Sequence, residues 1–461
     1  MTKYLERFIL NMESAFSHKA TFAWFGIVFA GLIMRNDSFG VTSIMRALML
    51  PPYCYPTLIH FFHSNAWSTQ SLLQCWWRWI IAEKVAYRVN NRIVLIGDHT
   101  KTPRDGRKIP CVSTLHQESE TASKPSFFRG HEWGCMALLT SFRSKFFATP
   151  LKAEIHNNSK EKGSRIPRMV AMAGEFLEFM GSDMYLVLDA YFAVGSTFEK
   201  AKEWGNKIYV LTRSKKNVVA FIPAEIPKIK KRGRPRIFGP KLKLMDLFDS
   251  WNGLFLTDRV RVYQKVEQVK YLSLDLMWKP TKGLIRFILV ETSRGRIILM
   301  TSDLNMTHTT AIKLYCHRVT IEIMFDVLKN ILGGMKYHFW SKYLVPGSRR
   351  PKRGVQSMQE SLNPEKTKST QNAIEKFVTI QLIILGFLQL LALKFPTQVC
   401  QKSLCWLRTS CSEIPSEFVT KFAVSNLIRS NLNGFGKNLI THFIQSKTKK
   451  TENKGFMDKV A

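Results

Sequence analysis

Acidic residues are scarce in this sequence, with 34 Asp and Glu against 68 Lys and Arg in 461 residues, a formal net charge of +34. That balance argues against an enzyme of ordinary charge acting on acidic substrates and calls for an anionic partner, nucleic acid first. Cysteine is sparse too. The eight cysteines form no C-x-x-C pair, which excludes a secreted disulfide scaffold and predicts reduced thiols in a cytosolic, cytoplasmic setting. No Cys/His set has zinc spacing, and neither a glycine-rich phosphate loop nor a Ser-His-Asp arrangement stands out. Disorder is excluded by what the chain does have, 45% apolar and 12% aromatic residues, a globular composition long enough for two to four domains.

Two apolar runs test for membrane insertion or export. Phe22 to Met34 starts late and lacks a small-residue cleavage site, so it reads as a core helix rather than a signal peptide. Phe377 to Phe395 is long enough to span a bilayer, but it carries Thr379, Gln381 and Gln389 between Lys376 and Lys394 and reads as a buried helix. No membrane partner is expected.

Residues 1–90 show helical apolar spacing in several short segments separated by turn signals such as Asn36-Asp37 and Pro51-Pro52. VTSIMRALML and YPTLIHFFHS fit either a helix-turn-helix or plain helical packing, with no recognition-helix signature. From residue 91 the pattern turns to strands: RIVLIGD ending in Asp98, the hairpin-like HEWGCMALLTSF and KFFATPLKAEIH, a helix from Pro167 to Met180, MYLVLD ending in Asp189, and NKIYVLTRS. This order predicts an α/β fold, a mixed sheet flanked by helices with an Asp at the C-terminal ends of two strands, where open α/β sheets place their sites. A basic Pro/Gly-rich run and alternating β-like sequence occupy 223–283, followed by a hairpin turning at Arg294-Gly295 and a long helix from about Thr309 to Leu332 that stops at Gly333-Gly334. Residues 341–372 read as an exposed linker, and 373–461 as a helical C-terminal region with a basic tail.

On that long helix, Tyr315, Arg318, Glu322 and Lys329 fall within an arc of about 60° at roughly 100° per residue. Most apolar residues of the segment lie on the other side, so one face packs and the other presents a carboxylate among cations and a phenol. An ordinary amphipathic helix remains the plain alternative. Asp326, one turn beyond Glu322, is a rival carboxylate, as are Asp105 and Asp183 elsewhere.

The spacing Y-x2-R-x3-E-x6-K resembles the signature of DDE transposases of bacterial insertion sequences, the cut-and-paste group with an inserted β-domain. GDHTKTPRDGRKIP, TLHQESETASKPSFFRGHEWG, LVLDAYFAVG, VLTRSKKN and LYCHRVTIEIMFDVLKN are all similar to counterparts in that family, in the same order and over most of the chain. The resemblance implies an RNase H-like fold on which Asp98, Asp189 and Glu322 bind metal. Three carboxylates suit two Mg²⁺ ions, with Mn²⁺ as a substitute, about 3.5–4 Å apart for phosphodiester displacement. The separation of 133 residues from Asp189 to Glu322 leaves room for an inserted domain. Tyr315, Arg318 and Lys329 are then expected to grip DNA near the cleaved phosphate. Val319 stands where the family often has Trp, which leaves a stacking role at that position in doubt.

Other basic residues suggest further DNA contacts. Arg213, Lys215 and Lys216 follow the strand after Asp189 and are expected at phosphates, or in a solvated loop. Arg232 and Arg234, in the AT-hook-like run KKRGRPR, fit an A·T-rich minor groove or a general basic contact. His131 reads as a core histidine or a neighbour of the metals.

The expected organisation is a helical DNA-binding region (1–90), a catalytic core in two parts (91–222 and 284–340), a basic β insertion (223–283), a linker (341–372) and the C-terminal helices (373–461). The expected function is cleavage at the terminal inverted repeats of an element and transfer of the 3′-OH into target DNA. The expected partners are double-stranded DNA and, on it, a second copy of the chain. The rival from another class is an inactive, transposase-derived DNA-binding protein.

Overall fold

A computed structural model describes residues 1–37, 40–117, 126–156, 164–224, 236–263, 265–347, 360–404, 410–433 and 438–448. Arg232 and Arg234 lie outside the described residues.

Five helices open the chain: α1 (Thr2–Asn11), α2 (Lys19–Met34), α3 (Thr42–Ala47), α4 (Cys54–His63) and α5 (Thr69–Ala82). Ser68 caps α5 through a capping box with Ser71, satisfying backbone N–H groups that the first turn leaves unpaired. Strands follow: β1 (Arg88–Val89), β2 (Arg92–Pro103), β3 (Ser113–His116), β4 (Phe127–Phe142) and β5 (Lys145–Ile155). Helix α6 (Arg165–Met180) leads to β6 (Met184–Leu188), and α7 (Gly195–Lys202) to β7 (Ile208–Arg213). Then come β8 (Val219–Pro223), β9 (Phe238–Lys243), the short α8 (Leu247–Ser250), β10 (Leu256–Val262), β11 (Lys265–Trp278), β12 (Gly283–Thr292) and β13 (Gly295–Thr301). The chain closes with α9 (His308–Cys316), α10 (Val319–Asp326), α11 (Pro364–Lys394), α12 (Pro396–Ser403), α13 (Glu417–Asn433) and α14 (Leu439–Thr448).

The described strands form one mixed sheet, with the path β3-β4-β2-β6-β7-β13-β12-β11-β8-β9 and β5 also pairing with β4. Only β2, β6 and β7 run parallel, and their mutual register is unbroken. The expected hairpins form at β4–β5 and at β12–β13. β11 of the insertion pairs with β12, β12 with β13 and β13 with β7, so the β-rich insertion continues the central sheet instead of standing apart. The boundary drawn between 283 and 284 falls between β11 and β12, which pair along their length.

The apolar stretch 377–395 lies, but for Phe395, in α11, the one helix among the described residues long and apolar enough to cross a membrane. Its apolar window is wholly buried inside the protein, in keeping with the buried-helix reading. α11 packs against β5, α4, α5 and α13, and Phe8 of α1 stacks on its Phe387 with ring centroids 4.3 Å apart. Trp76 and Trp77 of α5 donate to the Pro150 and Leu151 carbonyls of β5. The N-terminal helices therefore share the core of the sheet, each large apolar side chain contributing about 1.5–3 kcal/mol by its burial. In α4, Cys54, Leu58, Phe61 and Phe62 face that core while Tyr55, Pro56 and Thr57 are exposed.

Three expectations are corrected. Cys400 and Cys411 form a disulfide with Cα atoms 5.8 Å apart, so these two are not reduced thiols. Residues 364–372 are not linker: Pro364 at the first helical position and Asn363, which accepts from the Lys366 N–H, start α11 there. The helix from Thr309 to Leu332 is not continuous. The Thr320 N–H and hydroxyl both bond to the His317 carbonyl and the Ile321 N–H to that of Arg318, a tightened turn that separates α9 from α10. Beyond Asp326 the chain widens into a π-helical turn, Val327–Ile331.

Candidate active site

Gly97 of β2 pairs in parallel with Leu188 of β6, and the pairing ends there. The next residues are Asp98 and Asp189, so two carboxylates leave adjacent strands, about 4.8 Å apart, at one level. β2 itself continues antiparallel to β4 as far as Pro103, so Asp98 lies within its strand and not at the C-terminal end the sequence predicted. A Cβ on Gly97 would sit 2.9 Å from the Met169 sulfur of α6, so Gly97 faces α6 and Asp98, by alternation, faces the opposite side. There α10 supplies the third acid.

Each Asp is fixed locally. Asp98 Oδ1 accepts the His99 N–H at 2.7 Å, and Asp189 Oδ1 accepts the Ala190 N–H at 2.6 Å. The Asp189 carbonyl also accepts the Thr212 hydroxyl of β7 at 2.7 Å. Arg318 joins the helix to the sheet. Its guanidinium donates to Asp98 Oδ2 at 3.1 Å and to Glu322 Oε1 at 2.5 Å. The Asp98 side chain is 17% exposed and that of Glu322 52%, so one acid is sheltered and the other open. Burial pushes the Asp98 carboxyl up to about 7. The His99 N–H and the Arg318 charge oppose this rise, while Asp189 and Glu322 add to it.

Residues 11–270 match the family described as DDE superfamily endonuclease. The chain belongs to this family. The match spans more than half of the sequence and both Asp98 and Asp189, but ends before Glu322. No curated protein sequence matches the chain significantly. Among solved structures, one described as a piggyBac transposase synaptic complex with hairpin DNA is similar over 99% of this chain and 79% of its own, with 12% identity and a TM-score of 0.36.

In this DDE-family chain the remaining predicted residues have varied surroundings. Tyr315 is partly buried at the end of α9, where burial pushes its hydroxyl up to about 12; the charges of Arg318, Asp189 and Arg213 are close enough to act on it. Lys329 lies in the π-helical turn and donates to the Lys101 carbonyl of β2 at 3.1 Å, so in this structure its ammonium holds the helix to the strand. Arg213 ends β7, and Lys215 and Lys216 are exposed beyond it. Of the rival acids, Asp326 is exposed and accepts from Asn330 at 2.6 Å, and Asp105 is exposed in the loop after β2. Asp183 lies just before β6, and its carbonyl accepts the Ile93 N–H. His131 is a buried, hydrogen-bonded histidine, with Nδ1 at 2.5 Å from the Tyr337 hydroxyl and Nε2 at 2.7 Å from the Pro110 carbonyl.

The sequence reading missed a row of side chains beneath the acids, on the α6 side of the sheet. His99 stacks on Phe192, and its Nε2 lies 2.9 Å from His156 Nδ1. His156 Nε2 lies 3.1 Å from Glu154 Oε1, which Arg168 of α6 also bonds at 3.0 Å. The row crosses Gly134, where a Cβ would sit 2.2 Å from the His156 ring. Alternation along β2 placed His99 opposite Asp98; nothing local linked it to residues on β5.

The donor chemistry of Asp98, Asp189 and Glu322, all carboxylate oxygen, fits a hard divalent cation. Among the described residues, however, no three His, Cys, Asp or Glu side chains form a group arranged to hold a metal ion. The positive charge between Asp98 and Glu322 is the Arg318 guanidinium.

Proposed function

We propose that this chain is a DNA transposase of the insertion-sequence type. It would cut at the terminal inverted repeats of its element and join the freed 3′-OH to target DNA. The observation that carries this reading is the placement of Asp98 and Asp189 side by side at the end of the β2–β6 pairing, with Glu322 tied to Asp98 through Arg318. The order β5-β4-β2-β6-β7, with the last three strands parallel, supports an RNase H-like core, and the net charge of +34 supports a DNA substrate.

Asp98, Asp189 and Glu322 would hold the divalent cations, Mg²⁺ or Mn²⁺. Bound there, two such ions supply the activation of the attacking oxygen and the charge stabilisation of the leaving one. The chain's own groups do the rest. Arg318 and Arg213 present guanidinium forks to phosphate oxygens, Lys215 and Lys216 add exposed positive charge, and Tyr315 lines the approach. Lys329 contributes a point charge from its place on the Lys101 carbonyl. Arg232 and Arg234 are proposed to contact DNA, and the N-terminal helices to bind it. Joining two element ends calls for a dimer on DNA.

The test uses purified protein, a supercoiled plasmid carrying the DNA that flanks the gene, and Mg²⁺. The expected result is nicking at the element ends, lost in Asp98→Asn. A second reading, a DNA-binding protein without chemistry, draws on the Arg318 bridge and the unassembled acid group; salt-sensitive end binding with no metal-dependent nicking would favour it.

A further inference from the structure

We propose that Arg318 acts as an exchangeable counter-ion that couples DNA binding to divalent-cation binding. Without DNA its guanidinium bridges Asp98 and Glu322; on the complex it passes to a DNA phosphate and leaves the carboxylate oxygens to the cation. The inference rests on the reading of Asp98, Asp189 and Glu322 as cation ligands.

The geometry makes the two states exclusive. Arg318 bonds Asp98 Oδ2 at 3.1 Å and Glu322 Oε1 at 2.5 Å, oxygens of two of the three acids a cation would need. A guanidinium and a divalent ion cannot share that space, because both are positive and both require the same lone pairs. Simply withdrawing the guanidinium is unfavourable, since it leaves Asp98, a sheltered carboxylate, beside Asp189 and Glu322 with no compensating charge. Exchange avoids that state. A phosphodiester offers the same forked pair of oxygens as a carboxylate, and Arg matches both geometries.

Neighbouring groups make Arg318 the exchangeable member of the set. Lys329, the other cation of the signature, is tied to a backbone carbonyl of β2 and bonds neither acid. The Arg318 side chain is 18% exposed and springs from the tightened turn between α9 and α10, beside the open Glu322. It can therefore be approached from solvent without unpacking the core. Because binding free energies are linked reciprocally, DNA raises cation affinity by the same factor by which the cation raises DNA affinity. The DNA-free protein then holds the cation weakly and has little hydrolytic activity to misdirect.

The experiment measures Mn²⁺ binding by electron paramagnetic resonance of the free ion. It uses the full-length protein with and without a short duplex, and Asp98→Asn protein to define Mn²⁺ taken up by DNA or by sites elsewhere. Arg318→Gln, which keeps a hydrogen-bonding side chain but no charge, is expected to bind Mn²⁺ about tenfold more tightly than wild type without DNA. Duplex DNA is expected to tighten Asp98-dependent binding by a similar factor in wild type and to change it little in Arg318→Gln. Arg318→Lys, which keeps the charge but not the fork, should fall between them, with circular dichroism checking the fold of each variant. Asp98-dependent binding that is the same in wild type and Arg318→Gln, or that DNA tightens equally in both, overturns the coupling and leaves the proposed function standing. If no Asp98-dependent binding occurs in any sample, the metal-dependent reading itself fails.

Discussion

Arg35, at the end of α2, donates to the Leu332 carbonyl at 2.5 Å across 297 residues of sequence, and to the Gly333 carbonyl at 3.0 Å. These are carbonyls at the end of the segment that carries Glu322 and Lys329, left without helical partners where the π-helical turn stops. A buried cation from the N-terminal helices thus closes the far end of the acid-bearing helix.

Replacing that cation should loosen the helix from its end. Arg35→Met is expected to cost about 2–4 kcal/mol, because two buried carbonyls lose a charged donor. Urea unfolding gives the magnitude, and hydrogen exchange should rise first at residues 332–336, with β2 and β6 unaffected.

Glu322 should matter to chemistry and little to stability, since its side chain is half exposed. Glu322→Gln is expected to lower end nicking about a thousandfold, the size of the loss when one preorganised charge-stabilising group is removed. Gel-shift affinity for the same DNA should stay within a few-fold of wild type. A parallel loss of DNA binding would refute the assignment of Glu322 to the reacting centre.

Gly134 leaves the space that the His156 ring fills. Gly134→Ala should displace that ring and break its bond to His99, at about 1–3 kcal/mol for overpacking. Chemical denaturation measures the cost, and an unchanged midpoint would contradict the close approach.

The buried histidines contribute to the pH dependence of stability with a definite sign, opposed in part by Asp98, whose carboxyl burial raises to about 7. Burial pushes the His131 imidazole down to about 3 from its ordinary 6.5. Between those values the unfolded chain binds a proton that the folded one refuses, so stability falls as pH drops through this window. Each such histidine contributes about 1.4 kcal/mol per pH unit. His317, lowered to about 4 by burial, acts in the same direction. Urea titrations at pH 7 and pH 5 should show the loss, and His131→Gln should flatten it by close to one proton.

The Cys400–Cys411 bond closes a loop of 11 residues between α12 and the start of α13. Breaking it with Cys400→Ser is expected to cost about 2–3 kcal/mol under oxidising conditions. Under strong reductant, wild type and variant should unfold together.

Much of this was legible in the sequence because it depends on neighbours in the chain. The apolar runs that lead to Asp98 and Asp189, the β4–β5 and β12–β13 hairpins and the burial of α11 all follow from local apolar patterns and turn residues, whereas the continuation of β2 past Asp98 to Pro103 does not. The break after Cys316 was not legible, since it rests on Thr320 competing for the His317 carbonyl inside a stretch whose apolar period runs on undisturbed. Asn363-Pro364 did announce the start of α11, but the charged composition around it read as linker. The Cys400–Cys411 pairing needed the segment before α13 to fold back onto α12.

By itself the sequence determined which side chains were available: three carboxylates on the right elements, a surplus of positive charge, and an arginine one turn from Glu322. Only the tertiary structure decided that the fork of Arg318 lies between Asp98 and Glu322, that Lys329 is held by a strand carbonyl, and that Arg35 closes the acid-bearing helix. The physical reason is that local periodicity sets which face a residue takes, whereas the partner it meets there depends on how distant segments pack, and a buried charge must find a partner among whatever that packing brings within reach.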